Sequence, residues 1–245
     1  MELDVLSVDA WAERVAGDLV ERLRSEPTLR LCLPTGDTPA PVYAALATRL
    51  EAGEASLEHA TVVLLDEWVG LDPDDPARCD GRLRRELLDR VRPRPAAFYT
   101  VRVDELPPGE AAARHDEVAA GGLSLTLLGL GANGHVGFNE PGSTADSPTR
   151  VVALEMGSRE AAVERYGAGR IPEAGITLGI DRLLASDEIW LLVTGARKAE
   201  VLERALLGPV SPDVPASFLR SHHKLRVVAD TAAAALVTRS RLGTC

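Results

Sequence analysis

The 245-residue chain is poor in several things at once: aromatic residues make up 4%, cysteines number 3, and only 2 of its 27 basic residues are lysines. Cys32, Cys79 and Cys245 are odd in number and lack metal-ligand spacing, so they predict reduced thiols and neither a disulfide framework nor a metal site. No apolar run approaches the roughly 20 residues that cross a bilayer. The acidic, amphipathic start MELDVLSVDAWAERV has no basic stretch leading into an apolar one, so a cytoplasmic location without a membrane partner is expected. Net charge is -10 and the cations are scattered rather than striped, which argues against a nucleic-acid partner. An anionic ligand would therefore need a local basic pocket, and each of the two lysines, Lys198 and Lys224, becomes worth examining.

What is present is ordinary globular material, 45% apolar and 26% charged. No linker rich in Gly, Ser or Pro divides the chain and no repeat recurs, so residues 1–245 read as one domain. Ser7 can cap a helix whose apolar positions Trp11, Val15, Leu19 and Leu23 recur at helical spacing until Pro27. A short apolar strand over 29–33 follows, then a turn over 34–38. Thr38 and Pro39 suit the cap and first position of a second helix reaching Leu50.

The alternation continues with strands over 61–65, 97–103 and 123–128 and helices over 82–91 and 109–119. Then come a short strand over 151–154, helix over 176–185, strand over 188–194, helix over 196–207, short helix over 214–221 and strand over 224–229. This pattern predicts an α/β fold: a Rossmann-like open, mainly parallel sheet with helices on both faces. Residues 142–174 break it with Gly, Pro and charge, as lids and binding loops do.

In open α/β sheets ligands sit beyond the carboxyl ends of the strands, and four ends here carry chemistry. Thr35, Gly36, Asp37 and Thr38 form a turn leading into a helix N-terminus, a ready anion site. Asp66 and Glu67 follow a fully apolar strand, where a partly desolvated carboxylate makes a general base. Lys198 opens a helix, where a cation opposes the dipole and so suggests a compensating anion. The fourth end, residues 129–141, reads GLGANGHVGFNEP and packs His135, Asn139 and Glu140 into a Gly-rich turn.

Gly129, Gly131 and Gly134 also match the dinucleotide fingerprint, with Glu155 standing 21 residues on as the ribose acid. That fingerprint needs a helix directly after the glycines, and Gly137, Pro141, Gly142 and Pro148 prevent one.

Together these segments resemble the glucosamine-6-phosphate deaminase family, which shares its fold with the 6-phosphogluconolactonases. The likeness spans nearly the whole chain: LPTGDTP at 33–39, LLDEWVGL at 64–71, GLGANGHVGFNEPGS at 129–143 and LLVTGARKAEVL at 191–202. The Phe138–Pro141 continuation favours the deaminase branch over the lactonases. The resemblance implies isomerisation of glucosamine 6-phosphate with loss of ammonia, in amino sugar metabolism, without metal or other cofactor. Asp66 would move a proton from C2 to C1, His135 would open the ring, and Glu140 would orient His135. Thr35, Gly36, Asp37, Thr38, Lys198 and Arg165 would hold the phosphate, Gly129 and Gly137 would line the sugar, and 142–174 would be a lid. A related isomerase, deaminase or lactonase acting on another phosphorylated sugar, or a silent sensor, are the alternatives. The chain lacks the C-terminal extension of the long allosteric members, so a non-allosteric enzyme, monomeric or homo-oligomeric, is expected.

Three positions depart from the commonest pattern. Asn133 stands where Asp is usual and hydrogen-bonds without neutralising an imidazolium; Asp37 replaces a glycine; Trp68 replaces Tyr.

Overall fold

A computed structural model describes residues 1–170 and 172–242; Cys245 lies outside them, while Cys32 and Cys79 are free and buried. Ten strands form among the described residues: β1 (Glu2–Leu6), β2 (Arg30–Leu33), β3 (Thr61–Leu64), β4 (Asp66–Val69), β5 (Ala97–Tyr99), β6 (Leu125–Gly129), β7 (Arg150–Ala153), β8 (Ala174–Thr177), β9 (Ile189–Val193) and β10 (Leu225–Asp230). Eight α-helices accompany them: α1 (Val8–Ser25), α2 (Pro39–Glu51), α3 (Cys79–Leu83), α4 (Pro108–Ala120), α5 (Met156–Glu164), α6 (Ile180–Leu184), α7 (Ala199–Leu207) and α8 (Ala235–Leu242).

Seven strands make one all-parallel sheet in the order β1-β10-β9-β6-β2-β3-β5. Its central strands β2, β3, β6 and β9 are short, largely apolar runs because both faces are covered. Alternation sends Leu31 and Leu33 into a core shared with Trp11, Val15 and Leu19 of α1 and Val42 and Leu46 of α2. Cys32, between them, points to the opposite core with Leu202 and Leu206 of α7 and Val237 of α8. Each fully buried Leu or Val of this kind contributes roughly 1.5–3 kcal/mol, so the two layers carry most of the stability.

The α/β sheet and its flanking helices are as the sequence pattern predicts, and the helix after Ser7 buries the four anticipated residues. Several boundaries differ. β1 was not foreseen: it is an edge strand on β10 whose side chains are largely accessible, so it lacks an apolar run. The helix expected over 82–91 is α3 followed by a wider π-type turn over Arg84–Leu88. The strand over 97–103 is confined to Ala97–Tyr99, and α8 was not anticipated.

The main correction concerns 176–185, expected as helix. Its first part is β8, which pairs antiparallel with β4 on one side and β7 on the other, forming a second, three-stranded sheet. Helix α6 begins only at Ile180, because Gly179 takes an extended conformation hard against Pro148. Pairing with two distant strands overrides the local helical pattern.

This small sheet holds the Gly-rich segment. The Phe138 ring packs on Trp68 of β4 with centroids 4.4 Å apart, and it covers Gly175 of β8 so closely that a Cβ there would lie 2.5 Å from the ring. Gly175→Ala is therefore expected to destabilise the fold by about 1–3 kcal/mol, since the ring is wedged and cannot yield. A urea midpoint equal to that of the parent would contradict this packing role.

Candidate active site

A cavity of about 710 Å³ opens beyond the carboxyl ends of β2, β3, β6 and β9. It lies where the strand order reverses around β2 and β6, the usual ligand position in open α/β sheets. All twelve residues singled out from the sequence as site candidates gather at this end of the sheet. Thr35, Gly36, Asp37, Thr38, Asp66, Gly129, Asn133, His135, Gly137, Arg165 and Lys198 line the cavity itself. Glu140 stands behind His135, bonded to it. Gly157, Ser158, Ala161 and Arg165 form one wall, so part of 142–174 faces the same space.

Asp66 and Glu67, a carboxylate pair in sequence, are separated by the pleat. Glu67 is fully buried and accepts hydrogen bonds from the backbone N–H groups of Trp68 (2.8 Å), Cys79 (2.9 Å) and Asp80 (2.9 Å), holding the start of α3. It is spent on structure. Asp66 faces the cavity, only 7% exposed, and burial raises its carboxyl from 3.8 to about 7, with the His135 charge and the Cys79 thiol pulling the other way. Gly137 has φ +57, and a Cβ there would lie 3.2 Å from Asp66 Oδ2 and 2.7 Å from Thr177 Oγ1. Only glycine lets this backbone close over the carboxylate.

The His135 ring lies over Gly131, where a Cβ would come within 2.4 Å of it. Its Nδ1 is 3.1 Å from Glu140 Oε2. The same Oε2 accepts from Asn133 Nδ2 at 2.8 Å, while Oε1 accepts from the Ser158 hydroxyl. Burial raises the Glu140 carboxyl, but the His135, Ser158 and Asn133 contacts outweigh it and leave the group below its ordinary value. Glu140 is thus an ionised acceptor, and its bond to Nδ1 leaves Nε2 as the nitrogen available to a ligand. Beyond it, Asn139 is fully buried; its Nδ2 donates to the carbonyls of Val136 and Leu178, and its Oδ1 accepts from Arg150.

At the other end the cavity is cationic. Lys198 caps α7, and its ammonium is held below its ordinary value by burial and by the charges of Arg165 and Arg197, with Asp37 opposing. Arg165 Nε reaches Asp37 Oδ2 at 3.4 Å. The Asp37 carboxylate therefore points to a cation and not into the turn, which reconciles it with an anion site at the α2 N-terminus. Gly36 there has φ +132 and faces the Tyr166 hydroxyl.

The cavity residues that the sequence does not assign to the site include Cys79, Glu155, Ser158, Tyr166 and Arg197. Arg197 belongs to the 191–202 segment beside Lys198, and Glu155 is the acid of a nucleotide fingerprint that no helix follows: 129–141 runs through turns into 142–149, which is turn and bend. Cys79, Ser158 and Tyr166 carry no local signal, because they reach the cavity from elements whose placement is tertiary. Among the described residues, no three His, Cys, Asp or Glu side chains cluster as a metal site requires.

The raised Asp66 carboxyl carries a stability consequence. The folded state binds this proton more tightly than the unfolded chain, so stability is lost as pH rises from about 4 to about 7. Asp66→Asn should stabilise the protein at pH 8, by at most about 4 kcal/mol, with the gain vanishing below pH 4. Denaturant midpoints at the two pH values check this, and a gain independent of pH would contradict it.

The family pattern of glucosamine-6-phosphate isomerases and 6-phosphogluconolactonases matches residues 5–228. A glucosamine-6-phosphate deaminase of Rhodopirellula baltica is 41% identical over 240 residues, covering 94% of this chain and 93% of its own. One of Halalkalibacterium halodurans is 33% identical over 231 residues, 91% and 92% of the two chains. The structure of a monomeric glucosamine-6-phosphate deaminase, described as a missing link of the NagB superfamily, superimposes with a TM-score of 0.91 at 30% identity, over 96% of this chain and 100% of that one. With a common fold, and a match that takes in all four strand ends around the cavity, the chain belongs to the glucosamine-6-phosphate isomerase and 6-phosphogluconolactonase family.

Proposed function

We propose that the protein is a glucosamine-6-phosphate deaminase, converting glucosamine 6-phosphate and water to fructose 6-phosphate and ammonia. The observation that carries this reading is a buried carboxylate raised to about 7, Asp66, sharing with the His135–Glu140 pair a cavity whose far end is cationic. Similarity to relatives named for this activity supports it.

The phosphate would sit between the α2 N-terminus, with Thr35, Gly36 and Thr38, and the cations Lys198 and Arg165, leaving the sugar towards β6. His135, oriented by Glu140, would move a proton at the ring oxygen and open the pyranose. Asp66 would then take the C2 proton of the open aldehyde, giving an enolamine, and return it to C1. The carbon at C2 is thereby oxidised to an imine as C1 is reduced; water adds at C2 and ammonia leaves. Glycines 129 and 137 would let the backbone line the sugar, and residues 142–174 would act as the lid over it. Because a sugar phosphate is charged, the reading places the enzyme in the cytoplasm with its substrate.

A base titrating near 7 makes kcat/KM rise with pH through that region, since only the ionised Asp66 accepts the proton. The decisive measurement is coupled detection of ammonia and fructose 6-phosphate from glucosamine 6-phosphate: a lactonase releases no ammonia, and a sensor binds without turnover. Asp66→Asn should lower turnover by about 10²- to 10⁴-fold while retaining phosphate-dependent binding; near-normal turnover would remove Asp66 from the role of base. Lys198→Ala should raise KM by roughly 10- to 100-fold with kcat less affected, and an unchanged response to inorganic phosphate as competitor would place the phosphate elsewhere.

A further inference from the structure

Asn133 spends its whole side chain on three partners. Its Oδ1 accepts from the backbone N–H of His135 at 3.2 Å, and its Nδ2 donates at 2.8 Å both to Glu140 Oε2 and to Glu155 Oε2. An amide –NH₂ has two hydrogens, so each carboxylate takes one. The orientation is dictated by these neighbours. Turning the amide over would set Oδ1 against two carboxylate oxygens and Nδ2 against a backbone donor.

Glu155 is the N-cap residue of α5, and its own backbone carbonyl accepts from Arg159 N. A carboxylate there is favoured by the helix N-terminus. Three residues on, Ser158 donates to the other oxygen of Glu140. The first turn of α5 therefore grips the carboxylate behind His135 twice, directly through Ser158 and indirectly through Glu155 and Asn133. A carboxylate at position 133 would face two others across the present hydrogen-bond distance and be repelled by both. Asn133 and Glu155 form a matched set: the amide is tolerated, and aimed, because Glu155 takes its second hydrogen.

We propose that Glu155 is a positioning residue for the His135–Glu140 pair, acting through Asn133, and that it ties the wall formed by 142–174 to the acid-base machinery. It touches the amide and not the imidazole, so its effect falls on the orientation of Glu140 and His135. Because Arg165, Lys198 and the α2 turn lie at the opposite end of the cavity, phosphate binding is spared. This assignment rests on the deaminase reading above for its kinetic consequence, but not for the coupling between residues 133 and 155.

The test compares the parent with Glu155→Ala, Asn133→Asp, Glu155→Gln and the double variant Asn133→Asp/Glu155→Gln, by glucosamine 6-phosphate kinetics and by thermal unfolding. Residues sharing one hydrogen-bond network show coupling worth roughly 2- to 150-fold in an equilibrium or rate. Glu155→Ala should lower kcat about 10-fold with KM changed less than about 3-fold. Asn133→Asp should lower kcat more strongly, and adding Glu155→Gln should restore it to within about 5-fold of the parent, because the new amide donates to the new carboxylate. Unfolding temperatures should follow the same pattern, with Asn133→Asp destabilising beside Glu155 and much less beside Gln. Equal losses in the single and double variants, strictly additive unfolding shifts, or a Glu155→Ala effect confined to KM would each overturn the proposal. If the parent does not turn over glucosamine 6-phosphate, the deaminase reading fails, and the unfolding cycle alone still decides whether the two residues are coupled.

Discussion

The buried amide of Asn139 fixes the segment on which the site depends. Its two N–H bonds go to the carbonyls of Val136 and Leu178, and its oxygen accepts from Arg150 at the start of β7. One side chain thus joins the turn after β6 to the end of β8 and to the start of its neighbour β7. A fully buried amide with every group satisfied is rigid, and any departure would strand polar atoms without water. His135 and Glu140 flank this point, so their separation is set by it. Phe138, wedged between Trp68 and Gly175, closes the same joint from the apolar side.

The antiparallel sheet acquires its meaning from that joint. β4 leaves the parallel sheet after one residue, Leu65, and pairs with β8. The departure brings Asp66 opposite Thr177, whose hydroxyl accepts from the Phe138 N–H. Asp66 and the His135 turn are therefore positioned against one short strand, though they come from different crossovers of the large sheet. The pleat does the rest. It turns Glu67 away, to accept the Trp68 N–H and hold the start of α3 by the N–H groups of Cys79 and Asp80, and α3 in turn supplies the Cys79 thiol beside Asp66.

Charge is distributed with the same economy in an acidic protein. Lys198, Arg197 and Arg165 converge at one end of the cavity, and Asp37 meets Arg165 there. Carboxylates gather at the other end, around Asn133. A negative group at the cationic end and a polar, proton-exchanging group at the acidic end are the ligand features this arrangement selects. The carboxylate of Asp66 lies between polar walls yet is removed from water, and so keeps a proton far above the ordinary range.

Read alone, the sequence determined the alternation of strands and helices, the parallel sheet and the four strand ends, because these depend on short-range periodicity and on glycine and proline in turns. It also singled out His135, Glu140 and Lys198, and Asp66 together with Glu67, at the strand ends, and the family resemblance gave Asp66 its role. The tertiary structure decided what depends on distant pairing. It made 174–177 a strand where local pattern suggested helix, since β4 and β7 supply its hydrogen bonds. It divided Asp66 from Glu67, a matter of which face of a pleat each meets. It brought Glu155 and Ser158 to Asn133 and Glu140 across the segment that the sequence left least defined. Local pattern is written in neighbouring residues, whereas burial, pKa and hydrogen-bond partnership belong to surroundings that exist only once the chain has closed on itself.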